Sequence, residues 1–231
     1  MKRCRTWATL AALWLAGLVS GLAPAQGQLA PPAAASPRGA PSRQQALAAI
    51  EAPEPALRLA GVARLGEVGR MADAERLVAR LRDADAEVRD AAQAALWQVW
   101  SRSGDAAVDA LLARGTAQMQ RGELDAALAS FDAVVRRRPG FAEGWNKRAT
   151  VHYLRGDNAL SLADCDQVLR RNHHHFGALS GAGQIHLRLG QVEQALAFFE
   201  RAVAVNPNLI GPQQTIPMLE QQLRELGRTR I

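Results

Sequence analysis

The sequence predicts an all-α protein built as an α-solenoid, a row of antiparallel helix pairs stacked side by side, and three observations predict it. From Arg43 onward apolar residues recur at helical spacing, Ala and Leu dominate, and there is almost no strand signal. Gly or Pro interrupts the pattern every 12 to 18 residues, as short helices joined by tight turns require. Self-comparison brings out two internal periods, 34 residues in the second half and 31 in the first, which marks a repeat architecture.

Residues 1–25 stand apart from this pattern. Lys2, Arg3 and Arg5 precede an apolar run from Trp7 to Leu22, and Ala23-Pro24-Ala25 follows with small residues where a signal peptidase needs them. This order predicts a cleaved secretory leader and an exported, periplasmic protein. An uncleaved anchor is the competing reading, against which the apolar run falls short of the roughly 20 residues a spanning helix prefers. No cysteine follows the run to carry a lipid, and no later stretch could span a bilayer, so no stable membrane insertion is expected after cleavage. Residues 26–42, rich in Pro, Ala, Gly and Gln without apolar period, read as a flexible linker.

Without the leader's three basic residues the net charge falls from +6 to +3, and Lys147 is the last lysine left. Acidic residues are interleaved throughout, so no nucleic-acid partner is expected. Arg136-Arg137-Arg138 falls in the last turn of an expected helix, where cations complement the dipole. Cys4 leaves with the leader, so Cys165 has no partner within the protein and is expected as a small buried core residue.

The 34-residue period holds without insertion. It relates Gly122, Gly156 and Gly190, then Leu128, Leu162 and Leu196, and also Gly115/Ala149/Gly183, Ala127/Ser161/Ala195, Phe131/Cys165/Phe199 and Leu111/Trp145/Leu179. Small residues at 115, 149 and 183 allow two helices of one unit to cross closely. Gly122, Gly156 and Gly190 end the first helix of each unit in a left-handed conformation that costs glycine little. Pro139 and Pro207 stop the second helix, with His173 at the place between them. This pattern resembles the tetratricopeptide repeat in three contiguous units, within a segment bounded at 104–208. Cys165 for an aromatic and His173 for a proline are its departures. A further amphipathic stretch within 209–231, with Leu219, Leu223 and Leu226 on one face, is expected as the solvating C-terminal cap helix.

Over 43–103 the period is 31. Leu57-Arg58 matches Val88-Arg89, Ala60 matches Ala91, Leu65 matches Leu96, and Leu47 and Ile50 match Val78 and Leu81. The acidic turn Asp83-Ala84-Asp85-Ala86-Glu87 ahead of Val88-Arg89 resembles the turn of short HEAT-type repeats, implying two HEAT-like helix pairs. Gly104 and Asp105 would join the two arrays, Asp105 capping the next helix.

Catalytic signatures are missing: there is no nucleophile elbow, phosphate loop or HExxH motif, so neither an enzyme nor a cofactor is expected. His173-His174-His175 is the one cluster a metal could use, the alternative being a metal- or small-ligand-binding protein. Neighbouring helical residues diverge by about 100°, no cysteine or carboxylate–histidine motif completes a set, and an exposed polar turn is the expectation. His152 and His186 are 34 apart and are related by the repeat.

What remains is surface. The resemblance implies a concave groove lined by the first helix of each unit, and it would present Leu112, Thr116 and Met119, then Asn146, Thr150, Tyr153 and Leu154, then Ser180, Gln184, Leu187 and Arg188. Such a mixture suits a protein or peptide segment, with Tyr153 foremost. Some members of that family clamp the terminal carboxylate of a partner, and the corresponding places here are Leu112, Thr116, Lys147, Gly177 and Gly181, with one cation among them. The expected function is therefore an adaptor or scaffold in the cell envelope, a purely structural oligomerisation module being the remaining alternative.

Overall fold

A computed structural model describes residues 39–229. The expected leader at 1–25 and residues 26–38 of the linker lie outside the described residues. Among those described there are eleven α-helices, one 3-10 turn and no strand. The helices are α1 Arg43–Ala49, α2 Pro55–Val68, α3 Ala74–Arg80, α4 Ala86–Trp100, α5 Ala106–Gln120, α6 Leu124–Arg137, α7 Ala142–Arg155, α8 Asn158–Arg171, α9 Phe176–Arg188, α10 Val192–Val205 and α11 Ile210–Thr229.

In the first four helices the 31-residue period reappears as hydrogen bonds. Arg58 Nη1 donates to the carbonyls of Ala52 and Pro53 at 3.1 and 2.6 Å. Arg89, one period later, donates in the same way to Asp83 and Ala84 at 2.9 and 3.1 Å. Each arginine thus ties the start of its helix to the turn before it. Arg58 also forks onto the buried Asp83 of the second pair, with Nε and Nη2 at 2.8 and 2.7 Å from its two oxygens. That bidentate bond joins the two pairs and is geometrically demanding. Between them lies an apolar core containing Ile50, Val62, Leu65, Leu77, Leu81, Val88 and Leu96. Arg102 closes the segment by donating to Gly66 and Gly69 carbonyls at 2.6 and 2.9 Å.

From α5 to α10 the helices form three pairs, α5/α6, α7/α8 and α9/α10. Gly122, Gly156 and Gly190 each adopt positive φ, at 75°, 86° and 72°, where the first helix of each pair ends. The close crossing within each pair is a matched set of volumes. A Cβ on Gly115 would lie 2.7 Å from Phe131, and one on Gly183 would lie 2.7 Å from Phe199. In the middle pair the aromatic is replaced by Cys165, and there the facing residue is Ala149, both buried in one cluster. The cysteine that departs from the pattern is thus compensated by one methyl across the crossing. Arg148 adds a polar staple, bidentate to Asp164 at 2.8 and 2.7 Å and bonded to Asp132 of the preceding pair at 2.7 Å. The cap helix α11 buries Leu219 and packs Ile216 and Leu223 against Phe199 and Val192, while Leu226, two turns beyond Leu219, is exposed.

The four N-terminal helices do not simply precede the repeats; they fold against the turns between them. Asn206 Nδ2, after α10, donates to Gln93 Oε1 at 2.5 Å, and Asn208 Nδ2 donates to the Leu81 carbonyl at 2.8 Å. Arg82 donates to the last carbonyls of α10, those of Ala204 and Val205, complementing that helix terminus. One turn earlier, Trp97 and Trp100 of α4 enclose His175 and Phe176. From Gln93 to these tryptophans α4 rises roughly 6–10 Å, close to the ~10 Å between neighbouring helices. Asp105, just beyond, reaches Arg137 of the first turn at 3.9 Å. α4 therefore runs along the row of turns in step with the repeats.

Two outcomes follow for stability. Gly115→Ala must force Phe131 from its place and is expected to destabilise by about 1–3 kcal/mol in urea unfolding, whereas Gly181→Ala, where a Cβ meets nothing within 4 Å, gains roughly 0.5–1 kcal/mol from helix propensity. The Arg58 bonds hold the Asp83 carboxyl below its ordinary value despite burial. A depressed native value contributes stability above the unfolded carboxylate range and loses it as pH falls through the native value. Asp83→Asn is accordingly expected to flatten the acid limb of a stability-against-pH profile.

Candidate functional site

The inner rows of α5, α7 and α9 carry the residues singled out for the groove. Thr116 Oγ1 donates to the Leu112 carbonyl at 2.9 Å, and Thr150 Oγ1 donates to the Asn146 carbonyl at 3.0 Å. Each hydroxyl spends its proton on its own helix and keeps lone pairs for an outside donor. Met119 is half-buried against the cluster around Phe131 and Val134. Tyr153 is half-buried against Ala149, Cys165 and Ile185. Arg188 of the next unit lies with its guanidinium carbon 3.7 Å from the centre of the Tyr153 ring and donates to the Tyr153 carbonyl at 2.9 Å. Gln184, half-buried, stands one turn before Arg188 on α9. The structure thus brings Tyr153 and Arg188 together as one unit.

Asn146 has a different fate. It is buried, and its Nδ2 donates to Glu143 Oε2 at 3.1 Å, so it faces inward to a polar node at the groove's turn-side end. Glu143 is fully buried there. Its Oε2 also accepts from His175 Nε2 at 3.0 Å, and its Oε1 lies 3.3 Å from Lys147 Nζ. Burial pushes the Glu143 carboxyl up, but Lys147 and the His175 hydrogen bond more than offset this and hold it below its ordinary value.

His175 corrects the expectation of an exposed histidine turn. Its side chain has no solvent exposure. Its Nδ1 accepts the Ala178 N–H at 3.0 Å, capping α9. Nδ1 therefore holds the lone pair, and Nε2 carries the proton that goes to Glu143. The ring stacks on Trp100 at 4.7 Å and 22° and meets Trp97 edge-on at 5.3 Å. With both nitrogens engaged, His175 is withdrawn from metal binding. His173 is exposed and His174 half-exposed, their ring centres 3.9 Å apart. Among the described residues no group of three or more His, Cys, Asp or Glu side chains could hold a metal ion. Cys165 is also inert, since burial, then the nearby Asp164 and Asp166, push its thiol up to about 12.

The node of Glu143, Asn146, Lys147 and His175 was not expected from the sequence. One signal was present. At the place where the first two units carry Asp109 and Glu143, the third has Gly177, and a Cβ there would lie 2.5 Å from the Trp97 ring. A glycine inside a helix of an otherwise regular repeat marks such a close approach. His175→Ala removes the cap and one of the two hydrogen bonds to the buried Glu143, which is expected to cost about 1–3 kcal/mol. Urea unfolding followed by tryptophan fluorescence reads this loss directly at Trp97 and Trp100.

Comparison with known proteins agrees with this geometry. Tetratricopeptide repeat models match residues 112–172 and 176–209. A TPR repeat-containing protein of Rhizobium etli is 32% identical over 124 residues, covering 54% of this chain and 61% of its own. The chain thus spans about three-fifths of the length of the curated relative it matches. Among solved structures, the first TPR domain of Spaghetti (RPAP3), bound to the HSP90 peptide SRMEEVD, aligns with a TM-score of 0.49 at 20% identity, over 51% of this chain and 93% of that one. The Sgt2 TPR domain of Aspergillus fumigatus aligns with a TM-score of 0.49 at 17% identity, over 52% and 82%.

Proposed function

We propose that this protein is a non-catalytic adaptor that holds a segment of a partner protein in the groove formed by α5, α7 and α9. The observation that carries the proposal is the Tyr153–Arg188 pair, an aromatic ring and a guanidinium brought together from two units at 3.7 Å on the inner rows. Around it the hydroxyls of Thr116 and Thr150 keep acceptor lone pairs, Gln184 adds an amide, and Met119 and Leu154 add apolar surface. Polar groups that can meet a peptide backbone, beside a rigid aromatic anchor, are the ingredients of segment recognition. The reading includes the two 31-residue N-terminal pairs as HEAT-like units, whose paired Arg58 and Arg89 bonds support it.

The setting belongs to the proposal too. The basic start, apolar run and Ala23-Pro24-Ala25 support export to the periplasm, and no helix among the described residues is long and apolar enough to cross a membrane. The adaptor is tested by a crosslinking pull-down comparing the unmodified protein with Tyr153→Ala and Arg188→Ala. Both variants are expected to lose the same crosslinked partner while remaining helical and cooperatively folded, Tyr153→Ala with a lowered urea midpoint because its ring packs in the core. Identical recovery from all three proteins would remove the groove from the account.

A further inference from the structure

Beyond its closed end the groove has a one-sided charge. Among the inner-row positions expected from the repeat, from Leu112 to Arg188, no carboxylate is present. The nearest acids on the same helices lie in their first turns and are engaged there. Asp109 accepts from the Ser103 amide and hydroxyl at 2.8 and 2.6 Å, and Glu143 is buried in the node. Lys147 is drawn to Glu143. Arg188 is exposed and makes no ion pair, and its Nε and Nη2 have no hydrogen-bond acceptor among the described residues.

The other arginines near the ends of first helices are treated differently. Arg121 is held by Glu123 and Arg155 by Asp157, each across the turn that follows its helix. In the third unit the 34-residue counterpart of Glu123 and Asp157 is Gln191. Its Oε1 is 2.6 Å from His186 Nδ1. At these two places the third unit has Leu189 and Gln191 instead of an arginine and an acid, and Arg188, one residue earlier, stands beside a turn that carries no carboxylate. Its guanidinium is nonetheless already ordered, flat on the Tyr153 ring with one nitrogen fixed to a carbonyl. A stacked arginine with a free edge is suited to a carboxylate, since little conformational freedom is left to lose on binding.

We infer that Arg188, laid on Tyr153, recognises the carboxylate of an Asp or Glu inside an extended partner segment, and that the groove does not take the carboxyl terminus of a partner. The first half of the statement follows from charge complementarity at Arg188. The second follows from the closed end. A terminal carboxylate seated at the first turns of these helices would need free cations there, but Lys147 is spent on Glu143 and Gly177 lies under Trp97. The segment lies in the open half, on Thr150, Tyr153, Gln184 and Arg188. The inference rests on the adaptor reading and specifies its ligand.

The test uses an array of random decapeptides, N-acetylated and C-amidated, probed with the full-length protein and with Arg188→Gln, Arg188→Lys and Lys147→Gln. Peptides retained by the parent are expected to share an Asp or Glu at one internal position and to bind as well with a free carboxyl terminus as with the amide. Arg188→Gln is expected to weaken them about tenfold or more, the scale of a charged hydrogen bond. Arg188→Lys, which keeps the charge without the fork, falls between. Lys147→Gln, which lies outside the open half, leaves the acid preference intact. Retained peptides with no acid preference, equal binding to Arg188→Gln, or dependence on a free carboxyl terminus would each overturn the inference while leaving a peptide-binding groove. Retention of no peptide by the parent protein would overturn the adaptor reading and the inference together.

Discussion

The hydrogen bond from His175 Nε2 to Glu143 Oε2 joins two side chains that water does not reach, and much of the architecture depends on its being made. Glu143 stands on α7 and His175 precedes α9, with its ring packed against the tryptophans of α4. A carboxylate taken out of water is tolerated only when its surroundings answer its charge. Here Lys147, Asn146 and His175 do so together. His175 can serve only as the tautomer that leaves Nδ1 to cap α9. One ring therefore sets the start of a helix, satisfies a buried acid and offers a flat face for Trp100.

That node decides how the two halves of the described structure relate. A solenoid whose repeats merely continued one another would leave its turns in solvent. Instead α4 passes along them, bonding Asn206 through Gln93 and covering the His175 turn with Trp97 and Trp100, and Asp105, after α4, approaches Arg137. The match between helical rise and repeat spacing makes this a continuous contact. Along α7 and α9 the consequence is asymmetric, because the first turns are packed against the protein's own side chains while Arg188, at the end of α9, is exposed.

The repeats show how a departure from a pattern is absorbed. Gly115 faces Phe131 and Gly183 faces Phe199, while Ala149 faces Cys165, so each crossing is filled to a similar extent by a different pair. The His173 departure has a different origin. The turn that lacks proline is the one whose histidine is buried beneath α4. In one case a neighbour within the unit compensates; in the other a distant segment recruits the altered turn.

Local and periodic features were legible in the sequence alone. The all-helical class, the 34- and 31-residue registers, the glycines with positive φ and the burial of Cys165 all arise from interactions between residues in one unit or the next, and they repeat, so spacing reveals them. The pairing of α5 with α6, α7 with α8 and α9 with α10 was readable for the same reason. The folding of α4 onto the turns, the withdrawal of Asn146 and the burial of His175 were decided by tertiary structure. They depend on contacts between residues that are far apart in sequence and occur once, such as Gln93 with Asn206 and Trp97 with Gly177. A contact made once leaves no period, and a histidine's exposure depends on what is packed over it rather than on its neighbours in sequence.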